Sequence, residues 1–190
     1  MSIRHGLLTL LNRQPMYGYL LRAEFETTTG STWPLNVGQV YTTLARLERD
    51  GLVEAVSGGG EAQRAYAITP QGRGEVQRWF ATPVTRESPP RDELAIKLAL
   101  AVTTDGIDVR SVIQTQRTAT VRALQEYTRL RNATGDAELS WLLVVDSLVF
   151  AAEAEVRWLD HCEARLARWA ADPKRGVTSA VVPEPQEAPR

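Results

Sequence analysis

Residues 36–53 place the tightest constraint on what this chain can fold into. Asn36 can accept a hydrogen bond from a free first-turn amide, and Gln39, three residues on, can reach back to close a capping box. Gly51 can take the left-handed conformation that ends a helix without a Cβ clash. Between these marks Val37, Val40, Leu44 and Leu47 recur at three- and four-residue steps, which predicts one stripe facing a core. The opposite face carries Gln39, Tyr41, Thr42, Thr43, Arg46 and Arg49, all hydrogen-bond donors or cations. A helix cylinder of about 10–12 Å fits a major groove about 12 Å wide. A solvated helix in any domain would share much of this pattern, so the flanking segments decide.

On the carboxy-terminal side, Leu52–Val56 alternates like a half-buried strand, Ser57–Gly60 reads as a turn, and Arg64–Ile68 as the returning strand. On the amino-terminal side, Ile3, Leu7, Leu8, Leu10 and Leu11 predict a short apolar helix broken at Pro15. Tyr17, Leu20, Leu21, Ala23 and Phe25 predict a second, ending before the polar run Thr27–Ser31. Two helices, a connection, a recognition helix and a wing are the parts of a duplex-reading module. Thr69 then caps a further helix with Pro70 at its first position, running to about Phe80 with Val76, Trp79 and Phe80 as its apolar side. Thr82-Pro83 stops it. The expected division is a winged helix-turn-helix over residues 1–82 and a polar, proline-bearing linker over 83–90.

The second half reads as helical throughout. Leu94, Ile96, Leu98, Ala99 and Val102 mark a first helix, and Asp108 can cap a second of roughly 25 residues, about 37 Å long at 1.5 Å per residue. Asn132–Asp136 breaks that helix. The last runs from Ala137 to about Ala171 with a seam of Leu139, Leu142, Asp146, Val149, Glu153, Val156, Leu159, Glu163 and Leu166. A seam this long needs something to bury it, and three helices from one subunit offer little cover, so a homodimer is expected. The three acidic residues on the seam would be costly if dry, and are expected to meet Arg side chains or lie at a wet edge. The fold class is therefore mostly α: a winged helix-turn-helix followed by a helical, coiled-coil-like dimerisation domain over 91–172. The tail, 173–190, has three prolines and too little apolar material to fold, so it is expected to stay disordered.

Composition excludes several functions. The formal charge is −1, with +1 (8 − 7) on residues 1–82 and −2 (14 − 16) on the remainder, so attraction to DNA must come from a local arrangement of Arg. One cysteine, Cys162, and two separated histidines leave no intrachain disulfide and no zinc ligand set, which fits the cytoplasm. Asp160-His161-Cys162-Glu163 is contiguous, so on a helix its side chains fan apart and cannot converge on a metal or pair as nucleophile and base. Gly58-Gly59-Gly60 lacks the Lys-Ser/Thr that a phosphate loop needs. No apolar run approaches the ~20 residues of a membrane span, and Met1–Gly6 shows no signal-peptide core. No catalytic residue, cofactor or metal is expected.

Four separated blocks resemble the PadR family of bacterial transcriptional regulators. They are Pro15-Met16-Tyr17-Gly18-Tyr19-Leu20-Leu21; Gly38-Gln39-Val40-Tyr41-Thr42-Thr43-Leu44 continuing through Leu47-Glu48 to Gly51-Leu52-Val53; Arg64 with Tyr66, Ile68, Thr69 and Gly72; and Pro89-Pro90-Arg91-Asp92-Glu93-Leu94-Ala95-Ile96-Lys97-Leu98-Ala99. The resemblance spans about residues 3–170. It departs at Thr42, where many relatives have Pro, and in the wing, where Ser57–Gln63 carries only the charge of Glu61. What it implies is a DNA-binding regulator, a repressor released by an aromatic or drug-like small molecule.

Site residues follow from these readings. Gln39, Thr42 and Thr43 are base-edge candidates, Tyr41 is a phosphate contact, and Arg46 suits either role; Arg64 on the wing suits phosphate or minor groove, and the amides around Tyr17 and Tyr19 suit phosphates. For the effector, Trp141 and Phe150 come first and Trp158 second, beside the expected dimer interface. The competing reading is a winged helix that serves as a protein-interaction module without sequence-specific DNA binding, which the near-neutral charge permits.

Overall fold

The computed structural model describes residues 3–56, 64–84, 92–133 and 139–171. The expected turn at Ser57–Gly60, most of the linker, the centre of the break at 132–136 and the tail lie outside the described residues. Two compact units form, and they are not contiguous in sequence: residues 1–90 with 127–148, and residues 91–126 with 149–190. The carboxy-terminal half expected as one domain over 91–172 thus contributes its helical hairpin tip to the first unit.

The first unit begins with α1 (Ile3–Leu11), which buries Leu7, Leu8, Leu10 and Leu11. Backbone N–H groups of Asn12 and Arg13 close its last turn on Leu8 and Leu10. Met16–Tyr17 then forms a two-residue strand, β1, before α2 (Gly18–Thr28). Sequence periodicity had placed Tyr17 at the head of that helix. A strand of two residues has no period to detect. Its pairing with Tyr66 and Ala65 adds a third strand to the expected two-stranded wing, with the strand of residues 65–68 at the centre.

Helix α3 (Val37–Arg49) follows, and its ends are fixed largely as the sequence predicts. Asn36 accepts from the Gly38 amide at 2.8 Å. The expected return bond from the Gln39 side chain is not made among the described residues; the backbone N–H of Gln39 instead donates to the Asn36 carbonyl at 3.0 Å. At the other end Gly51 adopts φ +70°, and the N–H groups of Gly51 and Leu52 bond back to the carbonyls of Glu48 and Leu47. Such a paired closure satisfies carbonyls that the helix would otherwise leave open. Val40, Leu44 and Leu47 are buried, but Val37 is exposed, because the first turn of α3 projects past the core.

Strands β2 (Val53–Ala55) and β3 (Ala65–Ile68) pair antiparallel, Val53 opposite Ile68. Thr69 caps α4 (Pro70–Ala81): its Oγ1 accepts from the Gly72 amide at 3.1 Å and donates to the Gly51 carbonyl at 2.8 Å. One hydroxyl so joins the end of α3 to the start of α4. The core gathers Leu7, Leu8, Leu11, Leu21, Phe25, Leu35, Val40, Leu44, Leu47, Val53, Tyr66, Ile68 and Val76. On α4 only Val76 of the expected apolar side is buried; Trp79 and Phe80 are exposed, Trp79 stacking on His5.

The second unit contains α5 (Glu93–Thr103), capped by Asp92, and parts of α6 (Val109–Ala133) and α7 (Leu139–Ala170). Asp108 caps α6 as expected, accepting from the Arg110 amide at 3.0 Å. Leu98, Ile113 and Leu159 form its core. Thr120 is buried and donates to the Glu155 carboxylate, which also receives the Gln116 amide at 2.9 Å. Glu163 of the seam accepts from Gln114 at 2.9 Å. In the first unit, Asp146 lies 3.7 Å from Arg131, so this seam carboxylate meets an arginine. No helix among the described residues is long and apolar enough to cross a membrane.

Leu44 is fully buried at the centre of the first core, so Leu44→Ala removes contacts that the packed neighbours cannot replace. Urea unfolding should show a loss of about 2–5 kcal/mol for that variant, and little change for Val37→Ala, whose side chain faces solvent.

Candidate nucleic-acid interface

Burial of Val40, Leu44 and Leu47 fixes the rotation of α3 about its axis, and the polar face follows from that. Gln39, Thr42, Arg46 and Arg49 are exposed. Thr43 is half-buried and its hydroxyl donates to the Gln39 carbonyl at 2.7 Å, leaving its methyl and its oxygen lone pairs for contact. Tyr41 is also half-buried: its ring packs on the core and against Gly18, where an added Cβ would sit 2.8 Å from the ring. Tyr41 therefore fastens α3 to the start of α2. Tyr17 and Tyr19 lie beside that start, exposed, with rings stacked at 5.9 Å. Tyr17 occupies the capping position of α2 with no side-chain bond to the first turn, so the amides there remain open donors.

Ion pairing leaves Arg46 available on α3. Among the described residues Arg4 pairs with Asp50 at 2.6 Å, Arg22 with Glu26 at 2.9 Å and Arg64 with Glu48 at 3.9 Å. Arg49 also reaches Asp50, at 3.4 Å. Arg46, exposed on α3, has no carboxylate within ion-pair distance among those residues. The arginine expected on the wing, Arg64, is the half-buried partner of a recognition-helix glutamate.

The connection between α2 and α3 is held by an unexpected set. Gly30 and Ser31 are both left-handed, φ +57° and 55°. For a residue with a side chain that conformation costs about 1–2 kcal/mol. The Ser31 amide bonds the Glu26 carbonyl at 2.6 Å, and the Glu26 carboxylate accepts from the Leu35 amide at 3.1 Å. Trp141 of α7 lies on the backbone of Gly30. A glycine in a polar loop signals an unusual backbone, but nothing in the sequence indicates that the indole pressed on it comes from the last helix.

The three aromatic residues named for an effector site lie in different surroundings. Trp141 is against Gly30, Phe150 is exposed, and Trp158 lines a groove of about 230 Å³ in the second unit. That groove is almost wholly apolar, with Leu98, Val109, Ile113, Leu166 and Cys162 among its walls and Arg165 its one cation. Burial pushes the Cys162 thiol up from its usual value, so it behaves there as a small apolar group. His5 bonds Glu75 at 3.0 Å.

A capped helix with an exposed polar face, set between a helix pair and an antiparallel strand pair, defines a winged helix-turn-helix fold. Comparison agrees. Residues 7–78 match the model of the transcriptional regulator PadR-like family, and residues 90–167 match that of the virulence activator alpha C-term. The chain is 28% identical over 180 residues to "Probable transcriptional regulator Rv1176c" of Mycobacterium tuberculosis, covering 85% of this chain and 95% of the relative. Its fold is similar to that of the Vibrio cholerae virulence activator AphA, with TM-score 0.63, 23% identity and coverage of 88% of this chain and 99% of the other. It is also similar to Bacillus subtilis PadR in complex with operator DNA, with TM-score 0.64, 18% identity and coverage of 87% and 99%. A further PadR structure, in complex with p-coumaric acid, aligns with TM-score 0.68, 17% identity and the same kind of coverage, 88% and 99%. The chain thus carries a PadR-like transcriptional regulator domain followed by a virulence activator alpha C-term domain.

Glu26 gives a pH test of the loop. The Arg22 guanidinium, and then the Leu35 amide, hold its carboxylate below the ordinary value of 4.5. A depressed folded-state value contributes stability that is present above 4.5 and lost as pH falls through the folded value. Asp50 and Glu75 shift in the same direction through Arg4 and His5, so the comparison must be differential. Melting curves on acidification should show Glu26→Gln losing less stability than the parent between neutral pH and the acid limb. Equal losses would mean that Glu26 contributes nothing to the acid sensitivity.

Proposed function

We propose that this protein is a ligand-responsive repressor that binds an inverted-repeat operator as a homodimer. The observation that carries the reading is the recognition helix: a fully buried stripe on one side, and Gln39, Thr42 and Arg46 exposed on the other. Gln39 and Thr42 read base edges, joined by Thr43 through its methyl group, which suits a thymine methyl. Arg46 contacts base or phosphate. Tyr41 adds its hydroxyl to a phosphate, the amides beside Tyr17 and Tyr19 hold another, and Arg64 reaches phosphate on exchanging Glu48 for it. Two-fold pairing presents two such helices to half-sites about 34–36 Å apart.

Support for the dimer comes from apolar surface with no cover: Ile96 and Leu100 on α5, and Leu139, Leu143 and Phe150 on α7 are all exposed. Support for a ligand comes from the groove beside Trp158, whose apolar walls and single Arg165 suit a small aromatic molecule with an acidic group. Bacillus subtilis PadR has been seen with operator DNA and with p-coumaric acid, and those two occupants suggest the same classes here.

A gel shift on the region upstream of the gene, repeated across salt, tests the reading. Thr42→Ala should change sequence preference by roughly 1–3 kcal/mol at the contacted pair. Arg64→Ala should weaken all sequences alike and flatten the salt slope by about one. Absence of salt-dependent binding to any fragment would favour a protein-interaction module, which the charge of −1 also allows. Light scattering should give twice the 21.1 kDa monomer mass. Tryptophan fluorescence titrated with aromatic acids should saturate, release the operator in parallel, and lose its response in Trp158→Ala; release that survives this substitution would place the ligand elsewhere.

A further inference from the structure

We infer that Trp141 is a positioning residue for DNA recognition, acting through Gly30 on the loop that leads into α3. The inference rests on the DNA-binding reading above, and the contact itself stands on geometry. A Cβ built on Gly30 would lie 2.0 Å from Cε3, 2.2 Å from Cζ3 and 2.4 Å from Cδ2 of Trp141. Three atoms of the indole's six-membered ring therefore occupy the space a side chain would need, with the ring pressed on the glycine backbone. Gly30 is doubly required, by that ring and by its φ of +57°.

The loop that the ring covers is short, with the Gly30 amide bonded to the Thr27 carbonyl at 3.1 Å and the Thr32 amide to the Thr29 carbonyl at 3.2 Å. Ser31 shares the left-handed conformation, and its amide bonds the Glu26 carbonyl at 2.6 Å. The Glu26 carboxylate, braced by Arg22 at 2.9 Å, takes the Leu35 amide at 3.1 Å. Leu35 is buried, and its neighbour Asn36 caps α3. Two successive left-handed residues, one of them not glycine, persist only where surroundings over-determine them. Here one surrounding element is the Trp141 ring, carried on the first turn of α7. Removing it leaves the unfavourable pair free to relax, and the cap of α3 moves with the loop. The helix itself keeps both its end closures and its buried stripe, so what changes is placement rather than folding.

Placement matters to specific binding far more than to general attraction. Base-edge hydrogen bonds tolerate little displacement, whereas phosphate attraction is long-ranged and does not read sequence. Trp141→Ala should therefore lower affinity for the operator by about tenfold or more, a coupling factor typical of two linked sites, with affinity for unrelated DNA of the same length unchanged. Trp141→Phe retains a flat six-membered ring and should restore most of the loss. Gly30→Ala should reproduce it, and combining Gly30→Ala with Trp141→Ala should add little, because the methyl then has no ring to meet.

The experiment measures operator and non-operator affinity for the full-length dimer and these variants, with amide hydrogen exchange at Leu35 alongside. Faster exchange at Leu35 in Trp141→Ala, rescued in Trp141→Phe, together with a selective loss of operator binding, supports the assignment. Operator affinity and Leu35 exchange both equal to the parent in Trp141→Ala would overturn it. So would parallel loss of operator and non-operator binding with a lowered melting temperature, which marks a merely structural contact. If the parent protein binds no DNA at all, the DNA-binding reading fails, and Leu35 exchange still decides whether the ring fixes the loop.

Discussion

Three apolar side chains decide where the exposed polar face of α3 points, and they point the other way. Val40, Leu44 and Leu47 are at most 1% exposed, against α1 and α2. Each contributes about 1.5–3 kcal/mol on burial, so rotating α3 by even one residue's angle would give up several kcal/mol of a domain's modest total. At 100° per residue that fixes Gln39, Thr42 and Arg46 outward without any contact of their own. The two closures add what burial cannot. The Asn36 cap sets where α3 begins, and the left-handed Gly51, tied through the Thr69 hydroxyl to α4, sets where it ends.

Charge is arranged with similar economy. The amino-terminal 82 residues hold eight arginines against seven acids. Five of those arginines, at positions 4, 22, 49, 64 and 78, sit in ion pairs with carboxylates of the same unit. Partly exposed pairs of this kind add little stability, about 0–1 kcal/mol each. Their larger effect is to hold side chains in place and to cancel field. The three outside such pairs are Arg13, Arg46 and Arg73, and of these Arg46 lies on the exposed face of α3.

How much of this was legible in the sequence depends on the range of the interaction. The caps at Asn36, Thr69 and Asp108, the stop at Gly51, and the stripe from Val40 to Leu47 all involve residues within a few positions, and periodicity and side-chain chemistry report such contacts directly. The resemblance in four blocks carried the family in the same way. Misreadings fall where the outcome depends on packing at a distance. Val37 continues the stripe in sequence but projects beyond the core; Trp79 and Phe80 continue an apolar side of α4 that only Val76 buries. Strand β1 exists only because β3 is there to pair with it. The aromatic residues of α7 show the same limit most plainly. Sequence ranks Trp141 and Phe150 ahead of Trp158 as effector contacts, whereas the ring of Trp141 lies on Gly30, Phe150 is exposed and Trp158 lines an apolar groove.

A regulator with so little net charge must rely on geometry. Non-specific affinity grows with the number of phosphates neutralised and the counterions released, and here few unpaired arginines serve that term. On the proposed function, discrimination then has to come from base-edge contacts, each worth about 1–3 kcal/mol and each lost if its donor is displaced. A recognition helix used in this way needs a rigid lead-in more than it needs a basic surface. The left-handed pair at Gly30 and Ser31, an arrangement a free loop would avoid, is held by the Glu26 carbonyl beneath and the Trp141 ring above. Strain accepted at that point makes sense if the position of Asn36, and with it the whole of α3, is what the rest of the fold is arranged to specify.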